Sequence, residues 1–256
     1  MSNLEQRARM YSALGEPLRL AIVDRLTLAD AAPGELGRAL HIPTNLLAHH
    51  LRVLEEAALI RRVRSEGDRR RTYVRLCLAD PLVSALGYLD RASAVTGSRD
   101  GFEDRQVGSA SRVVFVCTHN SARSQLAAAV WKGLCATPAA SAGTHPAGQV
   151  HPRAISVGRR HGLRLSRRAT AHTDQVLRKD DLVVAVCDNA YEELASADSR
   201  PRLHWSIPDP VRIDTDGAFE AAYQDIAARV DRLVRAVNPE STKLRSRREE
   251  ERCQRE

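Results

Sequence analysis

Leu18, Ile22 and Leu26 recur at helical spacing directly after Pro17, a good first-turn residue, and predict an amphipathic helix. Pro33-Gly34 is expected to break the chain, with a short helix from Glu35 to Leu40 after it. His41-Ile42-Pro43 is a tight connection into another helix, where Leu47, Leu51 and Leu54 share one face. Thr44 or Asn45 is available there as N-cap. Two short helices joined this closely predict a helix-turn-helix. Leu59 to Arg64 and Thr72 to Leu78 then read as strands flanking Ser65-Glu66-Gly67-Asp68, which is hairpin chemistry.

Pro81 to about Ala94 predicts one more amphipathic helix through Leu82, Leu86 and Leu89. Residues 96–111 are rich in Gly, Ser and charge without periodicity and are expected to form a flexible linker. From Arg112 the pattern becomes strand, loop, helix. Val113-Val114-Phe115-Val116 is a continuous apolar run, as a buried parallel strand requires; Leu182 to Val186 is a second and Leu203 to Ile207 a weaker third. Phe219, Ala222, Ile226, Val230, Leu233 and Val237 mark a long terminal helix. Alternating strands and helices predict a parallel α/β sheet. The chain thus divides into 1–95, a linker at 96–111, 112–238, and a charged, disordered tail at 239–256.

A length of 256 residues is ample for two cores, and 43% hydrophobic content suits globular protein. No apolar run of about 18 residues is present and the N-terminus lacks the order of a signal peptide, so no membrane partner is expected and the cytoplasm is the default address. The cysteines are Cys77, Cys117, Cys135, Cys187 and Cys253. Their odd number and wide spacing make a poor disulfide framework, and no CxxC pair marks a metal site. Net charge of +7 permits an anionic partner, although nearly every basic residue is Arg.

The chemistry concentrates in Cys117-Thr118-His119-Asn120-Ser121-Ala122-Arg123-Ser124, set between the first apolar strand and a helix through Leu126, Ala129 and Val130. A loop ending at a helix N-terminus turns backbone N–H groups inward and adds a positive dipole, making an anion cradle. The same field favours the nucleophilic form of the Cys117 sulfur. Arg123 offers a planar fork of donors to a tetrahedral oxyanion. Ser124 can donate to the Cys117 sulfur, and Asn120 can pin the loop by side-chain bonds.

Ala13-Leu14-Gly15-Glu16-Pro17-Leu18-Arg19-Leu20 and Ala48 to Ile60 resemble the arsenic-repressor (ArsR-type) family over roughly residues 8–78. The resemblance implies an α+β winged helix-turn-helix, a homodimer, and DNA as partner. Thr44, Asn45, His49 and Arg52 would then face base edges, and the wing arginines Arg62, Arg64, Arg69, Arg70 and Arg71, with Arg61, would neutralise phosphates. Leu46 and Ala48 stand where that family usually has small hydroxylated residues. Leu28 to Arg38 also lacks the cysteine pair of metalloid-sensing members.

The segment from Arg112 to Val237 resembles the low-molecular-weight protein tyrosine phosphatase and arsenate reductase superfamily. Supporting pieces are Ser141-Ala142-Gly143-Thr144, His151-Pro152-Arg153-Ala154, Asp180 to Val184, and Pro208-Asp209-Pro210. The resemblance implies an α/β parallel-sheet phosphatase-like domain with Cys117, Arg123 and Ser124 catalytic, and Asp209 as general acid. Gln125 and Val211 stand where the phosphatases usually carry proline and aromatic residues, which favours arsenate. Cys187 sits at the first relay position of thioredoxin-coupled relatives; the second would fall near Leu194, and Ala122 replaces their loop cysteine. Cys187 is therefore either a resolving thiol or ordinary core. No bound cofactor is expected; a reductase would take an external thiol, either a small one such as mycothiol or thioredoxin. Three functions stay open: arsenate reductase, phosphatase on the same scaffold, and a DNA-binding oxyanion sensor without turnover.

Overall fold

The computed structural model describes residues 3–77, 107, 110–197 and 202–237. The first part folds as α1 (Asn3–Leu14), α2 (Pro17–Leu26), α3 (Pro33–Ala39), α4 (Thr44–Glu56) and an antiparallel pair, β1 (Ile60–Arg64) and β2 (Thr72–Leu76). Pro17 opens α2, and the Glu16 carboxylate caps it by accepting from the amides of Leu18 and Arg19 at 3.1 and 2.9 Å. Ile22, Leu26, Leu36, Leu47, Leu51, Leu54 and Val74 bury one core between these elements. Each such side chain contributes about 1.5–3 kcal/mol on burial.

One expectation needs correction here. Pro33-Gly34 does not precede α3; it forms its first turn, where the missing proline N–H costs no hydrogen bond, and Glu35 closes the end by accepting from the Ala32 amide at 2.7 Å. The hairpin strands lie within the two runs the pattern marked, with residues 65–71 between them. Arg64 pairs with Thr72, and the loop between them is closed by Ser65 N–H to Arg71 O at 3.1 Å and Arg71 N–H to Asp68 O at 2.8 Å. The helix expected over residues 81–94, most of the linker at 96–111 and the tail at 239–256 lie outside the described residues.

The second part runs β3 (Val113–Cys117), α5 (Arg123–Leu134), β4 (Ala139–Gly143), α6 (Pro152–Arg160), α7 (Thr173–Val176), β5 (Leu182–Ala185), α8 (Asp188–Ala197), β6 (Arg202–His204), α9 (Pro210–Ile213) and α10 (Asp216–Val237). Its sheet is parallel with strand order β4-β3-β5-β6. Helix α5 lies on β3 and β4 and along α10, while α8 lies on β3 and β5. Every residue of β3 and β5 is buried, which is why both read as unbroken apolar runs. Strand β4 escaped that pattern because Ala-Ala-Ser-Ala-Gly carries no apolar run. Phe115 anchors the core, its ring 6.0 Å from Trp131 and 5.8 Å from Trp205.

The two parts are in contact. Buried Arg75 of β2 donates to the Ser206 carbonyl and pairs with Asp225 of α10. Asp30, also buried, accepts from the Ser206 amide at 2.7 Å and from Arg229 at 3.1 Å. Trp205 Nε1 donates to the Leu28 carbonyl at 2.7 Å. Charges this deep are tolerated because each has its opposite within hydrogen-bond reach. Among the described residues, no helix is long and apolar enough to cross a membrane, and no His, Cys, Asp or Glu cluster could hold a metal ion.

Candidate active site

β3 delivers Cys117 to the mouth of a loop that ends in α5. The loop's shape follows from where its carbonyls go. Those of Cys117, Thr118, His119 and Ser121 accept from the amides of Thr144, His145, Ala147 and His151 at 2.8–3.2 Å. A trans peptide points its N–H opposite its carbonyl, so the next amides along face the loop interior, beside the N-terminus of α5. Gly143 permits this approach: a Cβ there would stand 2.7 Å from the Thr118 oxygen and 2.9 Å from the Asn120 nitrogen. Asn120 takes φ +48, a left-handed conformation that asparagine tolerates better than most residues.

Asn120 is the brace of the loop. It is fully buried; its Oδ1 accepts from the Ala171 amide at 3.0 Å and from Gln125 Nε2 at 3.1 Å. Its Nδ2 donates to Ser124 Oγ at 2.8 Å, and Ser124 Oγ lies 3.0 Å from Cys117 Sγ. Because Ser124 Oγ is already accepting, its own proton is free to point at the sulfur.

Arg123 is buried, with Nη1 donating to the Ile207 carbonyl at 2.8 Å and Nη2 lying 3.3 Å from Asp209 Oδ1. Burial opposes its charge, but the sulfurs of Cys187 and Cys117 and the carboxylates of Asp209 and Glu66 outweigh burial and push its pKa up. Asp209 caps α9 by accepting from the Val211 amide at 3.2 Å. Cys187 follows β5 and its sulfur lies 3.5 Å from Thr118 Oγ1. Burial pushes the Cys187 thiol up; Arg123 pulls the other way, and Cys117 adds to the rise.

The structure therefore brings together Cys117, Thr118, Asn120, Arg123, Ser124, Cys187 and Asp209. Ser121 and Ala122 are buried in the loop, and His119 is exposed on it. The remaining candidates lie elsewhere: Thr44, Asn45, His49 and Arg52 are exposed on α4, and Arg62, Arg64, Arg69, Arg70 and Arg71 are exposed on the hairpin. One residue of the site was not anticipated. Glu66, at the hairpin turn, accepts from Arg123 Nη1 at 3.2 Å and from the Asp209 amide at 3.0 Å. Its composition signalled only a turn, and no local pattern announces a contact across 57 positions.

The second part is similar to known proteins. An arsenate reductase of Halalkalibacterium halodurans is 30% identical over 128 residues, covering 48% of this chain and 91% of that protein. An arsenate reductase of Brevibacillus brevis is 31% identical over 126 residues, covering 48% and 92%. The crystal structure of arsenate reductase from Archaeoglobus fulgidus aligns with a TM-score of 0.42 at 30% identity, covering 48% of this chain and 98% of its own. Residues 112–243 match the low molecular weight phosphotyrosine protein phosphatase family, and the chain belongs to that family of cysteine-based enzymes, which here means a phosphatase or an arsenate reductase.

Proposed function

We propose that the chain is an arsenate reductase with Cys117 as nucleophile, joined to a winged-helix DNA-binding unit. The observation that carries the first half is the hydrogen-bonded line Asn120–Ser124–Cys117 at the base of a loop that ends at the N-terminus of α5, which buried Arg123 opens. In the reaction the Cys117 thiolate attacks arsenic, and an As–O bond breaks. Asp209 gives its proton to the leaving oxygen, which departs as water. A second thiolate then attacks the Cys117 sulfur of the adduct. The As–S bond breaks, its electron pair stays on arsenic, arsenite leaves, and the two sulfurs are joined as a disulfide.

The second thiol is either an external small thiol or Cys187. In the latter case a thioredoxin-type partner reduces the Cys117–Cys187 disulfide. The short distance from Cys187 to the loop through Thr118 favours keeping it as a candidate. Arsenate is preferred over a phosphotyrosine side chain because Val211, and no aromatic residue, follows Asp209-Pro210. A phosphatase remains the second function, since the same loop holds phosphate and the family is described by that activity.

The winged-helix half rests on α3 and α4 in a tight pair, the hairpin after them, and the exposed residues Thr44, Asn45, His49 and Arg52 along α4. Duplex DNA is the proposed partner. A homodimer is proposed with it, and Leu4 and Tyr11, both exposed on α1, supply apolar surface for a second copy.

Steady-state turnover with arsenate, supplying small thiols and a thioredoxin system separately, tests the assignment, with p-nitrophenyl phosphate run in parallel. Thiol-dependent arsenite release with little phosphate release is expected, and Cys117→Ser should abolish it. Phosphatase turnover without arsenite would assign the second activity instead.

A further inference from the structure

The hairpin turn of the first part ends inside the oxyanion site of the second. Glu66 places one carboxylate oxygen 3.2 Å from Arg123 Nη1 and the other 3.0 Å from the Asp209 amide. A carboxylate in that position presents two oxygens and a negative charge to groups that a tetrahedral oxyanion would also use.

The placement is built rather than incidental. The Glu66 amide donates to Asp188 Oδ2 at 2.8 Å. Glu192 of α8 holds the turn from beneath: it accepts from Ser65 Oγ at 2.7 Å, from the Asp68 amide at 2.9 Å and from Tyr73 Oη at 2.9 Å. Gly67 lies so close that a Cβ would meet Asn189 Oδ1 at 2.5 Å and Glu192 Oε2 at 2.6 Å. Asp188 is itself fixed by buried His204, Nε2 to Oδ1 at 2.9 Å. An exposed ion pair costs side-chain freedom and gains little, but here the turn is clamped and Arg123 is 5% exposed at its side chain.

We propose that Glu66 is a positioning residue of the oxyanion site, holding Arg123 while the site is empty and competing with the incoming oxyanion for the guanidinium. This rests on Cys117–Ser124 being an oxyanion cradle, as proposed above. The competition has a sign. A dianion entering beside Glu66 meets a like charge, and it must share or displace the Glu66 contact. Removing the Glu66 charge therefore strengthens oxyanion binding, the reverse of what losing a purely structural contact would do. The effect is reciprocal: whatever affinity the docked turn subtracts from the oxyanion, a bound oxyanion subtracts from docking of the hairpin.

The test is calorimetric titration of the full chain with inorganic phosphate, alongside arsenate kinetics. Glu66→Gln keeps the shape and removes the charge, and should tighten phosphate binding by about tenfold and lower the arsenate KM with little change in kcat. Glu66→Asp keeps the charge on a shorter arm and should fall between wild type and Glu66→Gln. Glu192→Ala frees the turn without touching Arg123 and should tighten binding as well, which keeps the proposal testable if Glu66→Gln folds poorly. Unchanged or weaker phosphate binding in folded Glu66→Gln and Glu192→Ala overturns the proposal. If neither the wild type nor any variant binds phosphate, the oxyanion cradle itself is wrong and the proposal falls with it; binding by wild type with no response to the variants sinks the proposal alone.

Discussion

Ser124 Oγ lies 3.0 Å from Cys117 Sγ and at the same time accepts from Asn120 Nδ2 at 2.8 Å. With Asn120 bound to one lone pair of the hydroxyl, its proton remains free to be given to the sulfur. With Cys117 as the proposed nucleophile, that proton would stabilise the sulfur both when it attacks and when it leaves. Asn120 thus reaches the Cys117 sulfur through Ser124, and the order of effects should follow that geometry.

Ser124→Ala should lower kcat by roughly 10–100-fold with a smaller change in KM, because the lost interaction acts on the charged sulfur more than on bound substrate. Asn120→Ala should lower kcat too, and should weaken oxyanion binding, since it also releases Ala171 and Gln125 from the loop. Combining the two should cost less than the product of the separate losses. Initial rates of arsenate reduction measure all three, and full multiplicativity would show that Asn120 does not act through Ser124.

Gly143→Ala tests the packing of the cradle. Its new methyl would meet backbone atoms, Thr118 O at 2.7 Å and Asn120 N at 2.9 Å, and backbone cannot swing aside as a side chain can. Overpacking of this kind costs about 1–3 kcal/mol, and part of it should appear as displacement of the loop. Urea denaturation should show the loss of stability, and phosphate titration a weaker cradle. A variant equal to wild type in both would mean the loop approaches β4 less closely than the geometry requires.

How far the sequence carried the fold depended on the range of the interactions. β3 and β5 were legible because burial on both faces writes itself as unbroken apolar residues. α10 was legible because Phe219, Ala222, Ile226, Val230 and Leu233 repeat at helical spacing against one core. β4 carried no such mark: it lies beside β3, where the loop and Gly143 approach closely, and its small residues leave no apolar pattern. Within the site, Cys117, Asn120, Arg123 and Ser124 lie on one short segment, so their spacing alone implied a cradle. Glu66 could not be found that way, because its place depends on Glu192, Asp188 and Tyr73 clamping a turn from a distant part of the chain. The Asp30, Arg75, Asp225 and Arg229 cluster was hidden for the same reason.

That cluster should contribute to the acid limit of stability. Burial raises the Asp225 carboxyl, but Arg229 and Arg75 more than offset it and hold its pKa below the ordinary carboxylate value. Asp188 behaves alike, with burial outweighed by the hydrogen bond and charge of His204. A group whose folded pKa is depressed contributes stability above its unfolded value of about 3.9 and loses it as pH falls through the folded value. Melting temperature should therefore hold from pH 7 to about 5 and drop below about 4. Arg75→Met should lower the plateau and make the acid limb shallower, because Asp225 then keeps one cationic partner fewer. An acid limb of unchanged slope would assign the transition to other carboxylates.

The hairpin arginines test the proposed DNA-binding unit. Arg69, Arg70 and Arg71 are exposed beyond the turn that carries Glu66, so docking of Glu66 leaves them facing solvent. Each phosphate neutralised by such a residue adds about 0.9 to the steepness with which binding falls in salt. Arg70 and Arg71 both pair with Asp68, at 2.9 and 3.8 Å, and are expected to contribute less than Arg69. Changing all three to alanine should then weaken binding to duplex DNA and flatten its salt dependence by less than the nearly three that free arginines would give. Fluorescence anisotropy of a labelled duplex across a salt series measures both quantities. If affinity and slope are both unchanged, the hairpin does not meet DNA, and its service to the molecule is the docking of Glu66 against Arg123.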